Sequence, residues 1–354
     1  MILSFITKYK SAIILTLVLT VFLASCKGIS DDPKSWVVRT FAGTAGTSGT
    51  TATSISAPQG VAVDSNGIVY VADTANNRIQ QITSAGVVST LAGTGTAGTA
   101  NTDTANNVVG TLSGPEGVAV DSSGENLYVA GTVSSTIRKI VISTGAVSTF
   151  AGTAGTPGTT ATSISAPQGV AVDSNGIVYV ADTANNRIQQ ITSAGVVSTL
   201  AGSGTATATS GTPTPDGTGA AATFNGPQGV AVVGGNVYVA DTGSHTIRKI
   251  ASGGVVTTIG GTVNVNTAGF NAPSGVAVDS DGNVYVADTT GHRIRKITSA
   301  GKVTTIAGTG TAGTTDGGSA VAKFSSPQGV AVRSSGELYV ADTGSHTIRK
   351  IELK

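Results

Sequence analysis

Disulfide bonds, charge and aromatic rings are all scarce in this sequence. One cysteine occurs, so no disulfide can form within the chain. Charged residues make up 11% of the sequence, against about 25% in ordinary domains, and the formal net charge is +1. Because neutralising phosphates requires a positive excess, we expect no nucleic-acid partner. Hydrophobic residues still reach 39% and glycine occurs 49 times, which excludes a disordered chain and favours an all-β fold.

A targeting segment is predicted at the N-terminus. Lysines precede an apolar run over 11–22, which is too short for a comfortable membrane span. The run leads into Leu-Ala-Ser-Cys, which resembles the bacterial lipobox and ends at Cys26. We therefore expect a lipoprotein signal peptide over 1–25, a lipid on Cys26, and a lipidated tether over 26–35. The alternative is an ordinary secretory signal with an incidental cysteine.

The expected lipid also predicts a location. Several acyl chains on Cys26 would hold the protein stably on a membrane, which makes the membrane its first partner. Lys27 follows the cysteine, whereas an aspartate there favours retention at the inner membrane in enteric-type sorting. We therefore expect the outer membrane of a bacterial cell envelope, with the leaflet left open.

One phrase, Pro-x-Gly-Val-Ala-Val, organises the rest of the chain. Its copies begin at Pro58, Pro115, Pro167, Pro227, Pro273 and Pro327. Each copy is followed by a turn, a Tyr-Val-Ala run, a second turn, and a basic run that contains isoleucine. A unit of this length cannot bury its own faces, so it must stack on its neighbours. In the first copy we predict strands A, B, C and D at 60–63, 68–72, 78–82 and 87–92.

The strand D phrase is displaced along the chain. One copy, at 37–42, precedes every strand A, and the last A, B and C strands end at Lys354 with no D after them. We therefore predict a six-bladed β-propeller over 36–354, built from four-stranded antiparallel blades. The N-terminal strand would close the last blade and leave no free edge at the seam. A solenoid and a pair of sandwiches are the alternatives, and the displaced strand argues against both.

Two blades are almost identical copies. Residues 40–93 recur at 149–202 with a single difference, Ser48 against Pro157. Neutral duplication explains this, because repeats are modular. The functional alternative is that identical loops present one recognition surface twice.

The repeat resembles the NHL repeat. The resemblance rests on Pro-x-Gly-Val-Ala-Val-Asp, on Val-Tyr-Val-Ala-Asp, and on Asn-x-Arg-Ile or His-x-Ile-Arg-Lys-Ile, which recur in order. Gly131 departs from it, since it replaces the usual aspartate after strand B in the second copy. The resemblance implies a six-bladed β-propeller. It implies no single activity, because the family includes RNA-binding modules, receptor sensor domains, adhesion modules and a zinc-dependent lyase.

The long connections predict where a ligand would bind. A four-stranded blade places its D–A and B–C connections on one face, and here the D–A connections are long, as at 44–57, 94–114 and 203–226. Long loops on a rigid scaffold usually carry binding, so we expect the site on this D–A/B–C face. The alternative is that these threonine- and glycine-rich loops are solvated spacers.

One position in the B–C turn is the candidate binding position. It is occupied by Asn77, Ser135, Asn186, His245, His292 and His346. Three histidines on neighbouring blades suggest zinc, but equivalent positions around a ring lie on the order of 10 Å apart, too far for one metal. Asparagine, serine and histidine can each hydrogen-bond their own turn, and this is the reading we favour. We therefore expect no metal and no cofactor.

An aspartate ends strand B in five copies. These residues are Asp73, Asp182, Asp241, Asp288 and Asp342. We predict that they pair with arginines of strand C, such as Arg78, Arg187 and Arg293, and so order a turn. The functional alternative is a ring of carboxylates at the channel mouth that binds cations.

The functional hypotheses follow from these patterns. We find no nucleophile elbow, phosphate loop or dinucleotide fingerprint. The first hypothesis is a lipid-anchored, non-catalytic, monomeric scaffold of the cell envelope that binds a protein, peptide or glycan through the D–A/B–C face. The second is an envelope enzyme, a metal-assisted lyase or hydrolase that uses the same face. A structural or antigenic role without a dedicated ligand also remains open.

Overall fold

The computed structural model describes residues 35–102, 109–205, 210–261 and 269–354. The predicted signal peptide, Cys26 and almost all of the predicted tether lie outside the described residues. A compact unit runs from Trp36 to Leu353 and consists of six antiparallel sheets, which are the blades of a β-propeller. No helix among the described residues has the length and hydrophobicity that a membrane span requires.

The first three blades are four-stranded, with strands numbered in chain order. Blade 1 contains β2 (Val61–Val63), β3 (Val69–Asp73), β4 (Arg78–Ile82) and β5 (Val88–Ala92). Blade 2 contains β6 (Pro115–Val120), β7 (Asn126–Gly131), β8 (Thr136–Val141) and β9 (Ala146–Ala151). Blade 3 contains β10 (Val170–Val172), β11 (Val178–Asp182), β12 (Arg187–Ile191) and β13 (Val197–Ala201).

Each of the other three blades contains four strands that are equivalent to A, B, C and D. Blade 4 contains β15 (Pro227–Val233), β16 (Asn236–Asp241), β17 (Thr246–Ala251) and β18 (Val255–Gly260). Blade 5 contains β19 (Pro273–Val278), β20 (Val284–Asp288), β21 (Arg293–Ile297) and β22 (Val303–Ala307). Blade 6 contains β24 (Pro327–Val332), β25 (Leu338–Asp342), β26 (Thr347–Leu353) and β1 (Trp36–Ala42).

Two blades carry a fifth strand that the sequence pattern did not predict. The two-residue strand β14 (Gly217–Thr218) pairs with β18, and β23 (Gly317–Gly318) pairs with β1. Both belong to D–A connections that fold back along the outer strand of the blade. This pairing satisfies backbone groups that an outer edge otherwise leaves open.

The N-terminal strand closes the ring, as predicted. In blade 6, β1 pairs antiparallel with β26, and Val38 lies opposite Ile351. The strand begins one residue before the predicted range of 37–42. Val38 is 1% exposed and packs in the core between blades 5 and 6. The first and last strands of the unit therefore form one sheet, and the seam needs no covalent link.

The hydrophobic core is divided among the six contacts between blades. In blade 3, Val178 and Val180 face blade 2, while Tyr179 and Ala181 of the same strand face blade 4. Every residue of the strand, β11, is buried. A strand covered on both faces needs apolar residues at every position, and this explains the continuous Val-Tyr-Val-Ala run.

Candidate functional site

The D–A loops are fixed to the propeller by an apolar anchor three residues before each Pro-x-Gly phrase. Each anchor is at most 2% exposed. The anchors are Ile55, Leu112, Ile164, Phe224, Phe270 and Phe324. These loops are therefore not solvated spacers throughout, because each has one end packed in the core. The sequence contained the signal, an apolar residue at a constant distance before each proline, and our sequence analysis missed it.

A buried ion pair also holds the D–A loop that leads into blade 1. The Asp73 carboxylate accepts hydrogen bonds from the Ser56 backbone N–H at 2.6 Å and from Arg78 Nε at 2.7 Å. Arg78 Nη2 donates in turn to the carbonyl oxygens of Thr51 and Ser54, at 2.7 and 2.8 Å. One ion pair thus joins strand B, strand C and the loop over 51–56.

The predicted pairing of aspartate with arginine is confirmed in five blades. The pairs are Asp73–Arg78, Asp182–Arg187, Asp241–Arg248, Asp288–Arg293 and Asp342–Arg349. The five aspartates are completely buried, so they do not line an open channel mouth, and the alternative of a cation-binding ring is wrong. Burial raises the pKa of Asp342 to about 6, although hydrogen bonds and the Arg349 guanidinium oppose the rise.

The six candidate positions of the B–C turn share one backbone conformation. All six have positive φ, between 48° at Asn77 and 59° at His346. The backbone N–H of the residue closes its own turn, as when Asn77 donates to the Thr74 carbonyl at 3.1 Å. Asparagine tolerates this left-handed region well, which explains its presence there.

The side chains at this position reach the next blade, whereas we expected them to bond their own turn. Five of the six, all but His245, accept from the backbone N–H of the residue that precedes the proline of the next copy. Asn77 Oδ1 accepts from Gly114 at 2.9 Å, and His346 Nδ1 accepts from Ala57 at 2.9 Å, across the seam. Ser135, Asn186 and His292 make the equivalent bonds. The difference arises because the left-handed backbone turns the side chain outward, toward the neighbouring blade.

These contacts can be compared with the two roles that the sequence suggested for the histidines, a zinc site and a hydrogen bond within the turn. Among the described residues, no group of three or more His, Cys, Asp or Glu side chains could hold one metal ion. The Nδ1 atoms of His292 and His346 already accept hydrogen bonds from the next blade. That the six turn residues also contact a ligand stays a prediction.

A ring of threonines completes the junction between blades. In every blade, the threonine that begins the B–C turn donates its hydroxyl to the carbonyl of the next Pro-x-Gly proline, at 2.6–2.7 Å. Thr343 makes the bond to Pro58 that closes the ring. The signal was the threonine that follows strand B in each copy, which our sequence analysis left unassigned.

The junctions fix the position of strand A around a narrow central channel. At its mouth, on the D–A/B–C face, lie the middle residues of the six Pro-x-Gly phrases. They are Gln59, Glu116, Gln168, Gln228, Ser274 and Gln328. The channel encloses about 90 Å³ of space open to water, and glycines and valines of strand A line the rest of it. We call these six side chains the mouth ring.

Glu116 is the one titratable side chain of the mouth ring. Burial raises its pKa to about 7, and hydrogen bonds with Thr132 and Gln168 only partly offset that rise. The Oε1 atom of Gln168 is buried and has no hydrogen-bond partner among the described residues. Sequence reasoning missed this site, although a single glutamate at a position that is glutamine in four of the six copies was visible.

Comparison with protein families identifies the repeat. The family model of the NHL repeat matches residues 56–82, 165–191, 224–250, 270–297 and 324–351. Each segment runs from the D–A loop through strands A and B to strand C. The equivalent segment of blade 2, in which Gly131 replaces the aspartate, is not among them. No curated protein matches the sequence at a significant level.

Solved structures share the fold at low sequence identity. A structural genomics protein of unknown function from Bacteroides thetaiotaomicron superposes with a TM-score of 0.68 at 20% identity, covering 91% of this chain and 76% of that one. An auxiliary nutrient binding protein from the same organism gives 0.63 at 16%, covering 90% and 77%. A gluconolactonase from Xanthomonas campestris gives 0.59 at 14%, covering 90% and 89%. At these identities the similarity shows the fold alone.

Proposed function

Because the chain is a six-bladed β-propeller built from NHL repeats, we propose that it is a non-catalytic binding scaffold of the bacterial cell envelope. Its ligand, a protein, peptide or glycan, binds on the D–A/B–C face. A lipid on Cys26 anchors the chain to a membrane, which in this proposal is the outer membrane. The fold that this chain shares with an auxiliary nutrient binding protein is compatible with this proposal.

The observation that carries the proposal is the way the D–A loops are held. In blade 1 the loop is fixed by buried Ile55 and by the Asp73–Arg78 pair, while Thr47 and Ser48 remain exposed. Loops that are already ordered lose little entropy when a ligand binds, so exposed hydroxyls on a rigid base suit recognition.

The duplicated blades present the same surface twice. In blade 3 the Asp182–Arg187 pair has the same 2.7 Å contact as Asp73–Arg78, and Arg187 bonds the Thr160 and Ser163 carbonyls as Arg78 bonds those of Thr51 and Ser54. A ligand with a repeated chemical unit would therefore find equivalent contacts at two blades, with a gain in avidity.

The test of the binding face compares substitutions on the two opposite faces of the propeller. The variant Thr47→Glu/Thr156→Glu places a charge on both copies of the exposed loop. The matched control, Asn66→Glu/Asn175→Glu, places the same charges on exposed A–B turns of the same blades. We expect the loop variant to lose binding to isolated envelope fractions of the source cell, measured by biolayer interferometry, and the control to retain it. Equal binding by both variants, or loss only in the control, would refute the proposal.

The anchor is tested separately. The Cys26→Ser variant removes the proposed lipid attachment site and should move the protein from the membrane fraction to the aqueous fraction. Metabolic labelling with a fatty acid should mark the unmodified chain and not the variant. Equal labelling of both would show that Cys26 is not the lipidated residue.

An envelope enzyme remains the second candidate, because Glu116 has a pKa of about 7, which suits general acid–base catalysis. The rest of the described channel lining consists of glutamine, serine, glycine and valine, so this part of the chain places no second titratable group there. Hydrolytic or lyase turnover, with or without added divalent metal, that is lost in Glu116→Gln would favour this candidate over the scaffold.

A further inference from the structure

The mouth ring contains one carboxylate among uncharged side chains. Five of its six side chains are neutral amides or a hydroxyl, and Glu116 is the exception. Among the residues that the structure describes, no lysine, arginine or histidine lines the channel, so the carboxylate has no cationic partner there. By contrast, the buried Asp73 and Asp182 each have an arginine at 2.7 Å.

We propose that the mouth ring binds a primary ammonium group, with Glu116 as its counterion. The inference rests on the proposed binding face and specifies its ligand, which carries an accessible amine. A lysine side chain of a peptide and the amine of an amino sugar share this chemistry.

The acceptors of the ring match the donors of an ammonium group. An ammonium has three N–H donors and no acceptor. The Glu116 carboxylate and the unpartnered Oε1 atom of Gln168 lie side by side on neighbouring blades, since Gln168 also hydrogen-bonds Glu116. Further amide oxygens and the Ser274 hydroxyl complete the ring. The Thr132 hydroxyl lies beside the carboxylate as well and also donates to the Pro167 carbonyl at 2.6 Å.

The size of the channel limits what can enter it. About 90 Å³ of space open to water is well below the roughly 300–1,000 Å³ of a pocket for a complete small ligand. Only a terminal group fits, while the rest of the ligand lies on the loops above. This arrangement suits an amine at the end of a flexible side chain.

A monovalent cation fits better than a divalent metal. One carboxylate supplies a single negative charge, and among the described residues no three metal-binding side chains converge. A hard divalent cation usually recruits several carboxylates or keeps its water shell. An ammonium balances the single charge of Glu116, and the partly desolvated setting strengthens that attraction.

Binding is then linked to a proton. Near neutral pH the Glu116 carboxyl is partly protonated, because burial raises its pKa to about 7. When the ammonium binds, the carboxyl releases its proton to solvent and the carboxylate forms the ion pair. Within the described ranges no other titratable side chain lines the channel, so the affinity should rise with pH through this one group.

The test uses the full-length protein and two amines, Nα-acetyl-lysine amide and glucosamine, each beside its N-acetylated neutral counterpart. Binding is followed by calorimetry and by NMR shifts of the mouth-ring amides. The lysine derivative stays protonated between pH 5.5 and 7.5, and we expect its affinity to fall roughly 25-fold as the pH is lowered from 7.5 to 5.5 and Glu116 gains its proton. The amine that binds more tightly identifies the source, peptide or glycan.

The variants provide a matched comparison. Glu116→Gln installs the residue that four other blades carry at this position, so folding should be preserved while amine binding is lost. Glu125→Gln removes the same charge from an exposed A–B turn and should bind as the unmodified chain does. Amine binding by Glu116→Gln equal to that of the unmodified chain would overturn the proposal. So would equal binding of the acetylated compounds, or tighter, Glu116-dependent binding of Ca²⁺ that displaces the amine.

Failure of this proposal is distinguishable from failure of the binding face. If the amines bind through Glu116 while Thr47→Glu/Thr156→Glu leaves envelope binding unchanged, the amine site stands and the loop face does not. If the loop variant abolishes envelope binding but neither amine binds, the face stands and the amine site is refuted.

Discussion

The glycine of each Pro-x-Gly phrase is required by a neighbouring strand. A Cβ atom on Gly169 would lie 2.1 Å from the Gln228 carbonyl oxygen of the next blade. The same approach recurs at all six glycines, with distances of 2.0–2.4 Å. Since real Cβ atoms do not come this close to backbone, any larger residue would force two blades apart at the channel.

Gly169→Ala should therefore lower the free energy of unfolding by about 3 kcal/mol, as overpacked sites do. The measurement is urea denaturation of the full-length protein. Gly318→Ala is the control, because a Cβ there meets nothing within 4 Å. If both substitutions cost the same, the close approach around the channel is not what requires glycine.

The titration of Glu116 also predicts a pH dependence of stability. Its pKa is about 7 in the folded chain against 4.5 for the free group, so the folded state holds the proton more tightly. Its contribution to stability is therefore complete below pH 4.5 and is lost as the pH rises through about 7. Glu116→Gln should raise the unfolding free energy at pH 8 by on the order of 1–3 kcal/mol and change it little at pH 4.

Urea denaturation between pH 4 and pH 8 measures this effect. Glu125→Gln serves as the control, because it removes an exposed carboxylate and should leave the pH dependence as it is. Parallel stability curves for Glu116→Gln and the unmodified chain would show that burial does not raise the pKa of Glu116.

Strands B and C and the D–A loop act as one unit through the buried ion pairs. In blade 1, Asp73 is inaccessible to solvent and Arg78 is 5% exposed, and the pair connects the end of strand B to the loop before strand A. An ion pair of this kind adds little net stability compared with an apolar pair, but removing one partner leaves a buried charge. Its contribution here is to fix where the loop lies.

Arg78→Met should cost about 3–5 kcal/mol of unfolding free energy, because Asp73 loses its cation. Hydrogen exchange should also quicken over residues 51–56. Arg187→Met is an internal replicate in blade 3 and should behave alike. Arg39→Met is the control, since Arg39 is 48% exposed and its pair with Glu352 should contribute less than about 1 kcal/mol. A loss no larger than that of the control would contradict the anchoring role.

Closure of the propeller depends on β1, the first strand of the compact unit. Strand β1 supplies the outer strand of blade 6, and Thr343 completes the circle of junctions with its bond to Pro58. Each blade buries its faces only against neighbours, so an opened seam exposes the cores on both sides of blade 6, where Val38 and Ala42 pack, as well as the edge of β26.

A chain that begins at residue 43 lacks β1 and should lose its cooperative unfolding transition or associate through the open edge. We expect a loss exceeding about 5 kcal/mol, comparable to the stability of a small domain. A chain that begins at residue 35 keeps β1 and is the control. Calorimetry and light scattering measure the two effects. A monomeric truncated chain with an unchanged melting temperature would show that closure is dispensable.

Much of the fold could be predicted from local patterns. The predicted strand C of blade 1 coincides with Arg78–Ile82, and the displaced phrase at 37–42 is the closing strand. The site was less predictable. The side chains at the Asn77 position reach the next blade, and the apolar anchors lie outside any strand. Glu116 lies at the mouth of a channel that forms only where all six blades meet. These contacts join residues far apart in the chain, and strand periodicity contains no information about them.

The repeat was sufficient to determine the four main strands of each blade, the number of blades and the closure, because each copy carries its own turn residues and exposes faces that only another copy can cover. The tertiary structure was needed to show that six Pro-x-Gly phrases converge on one channel and that one carboxyl, Glu116, is held there among amides. The reason is physical. Its pKa of about 7 comes from burial beside neutral groups of other blades, and that burial exists only once the ring has closed.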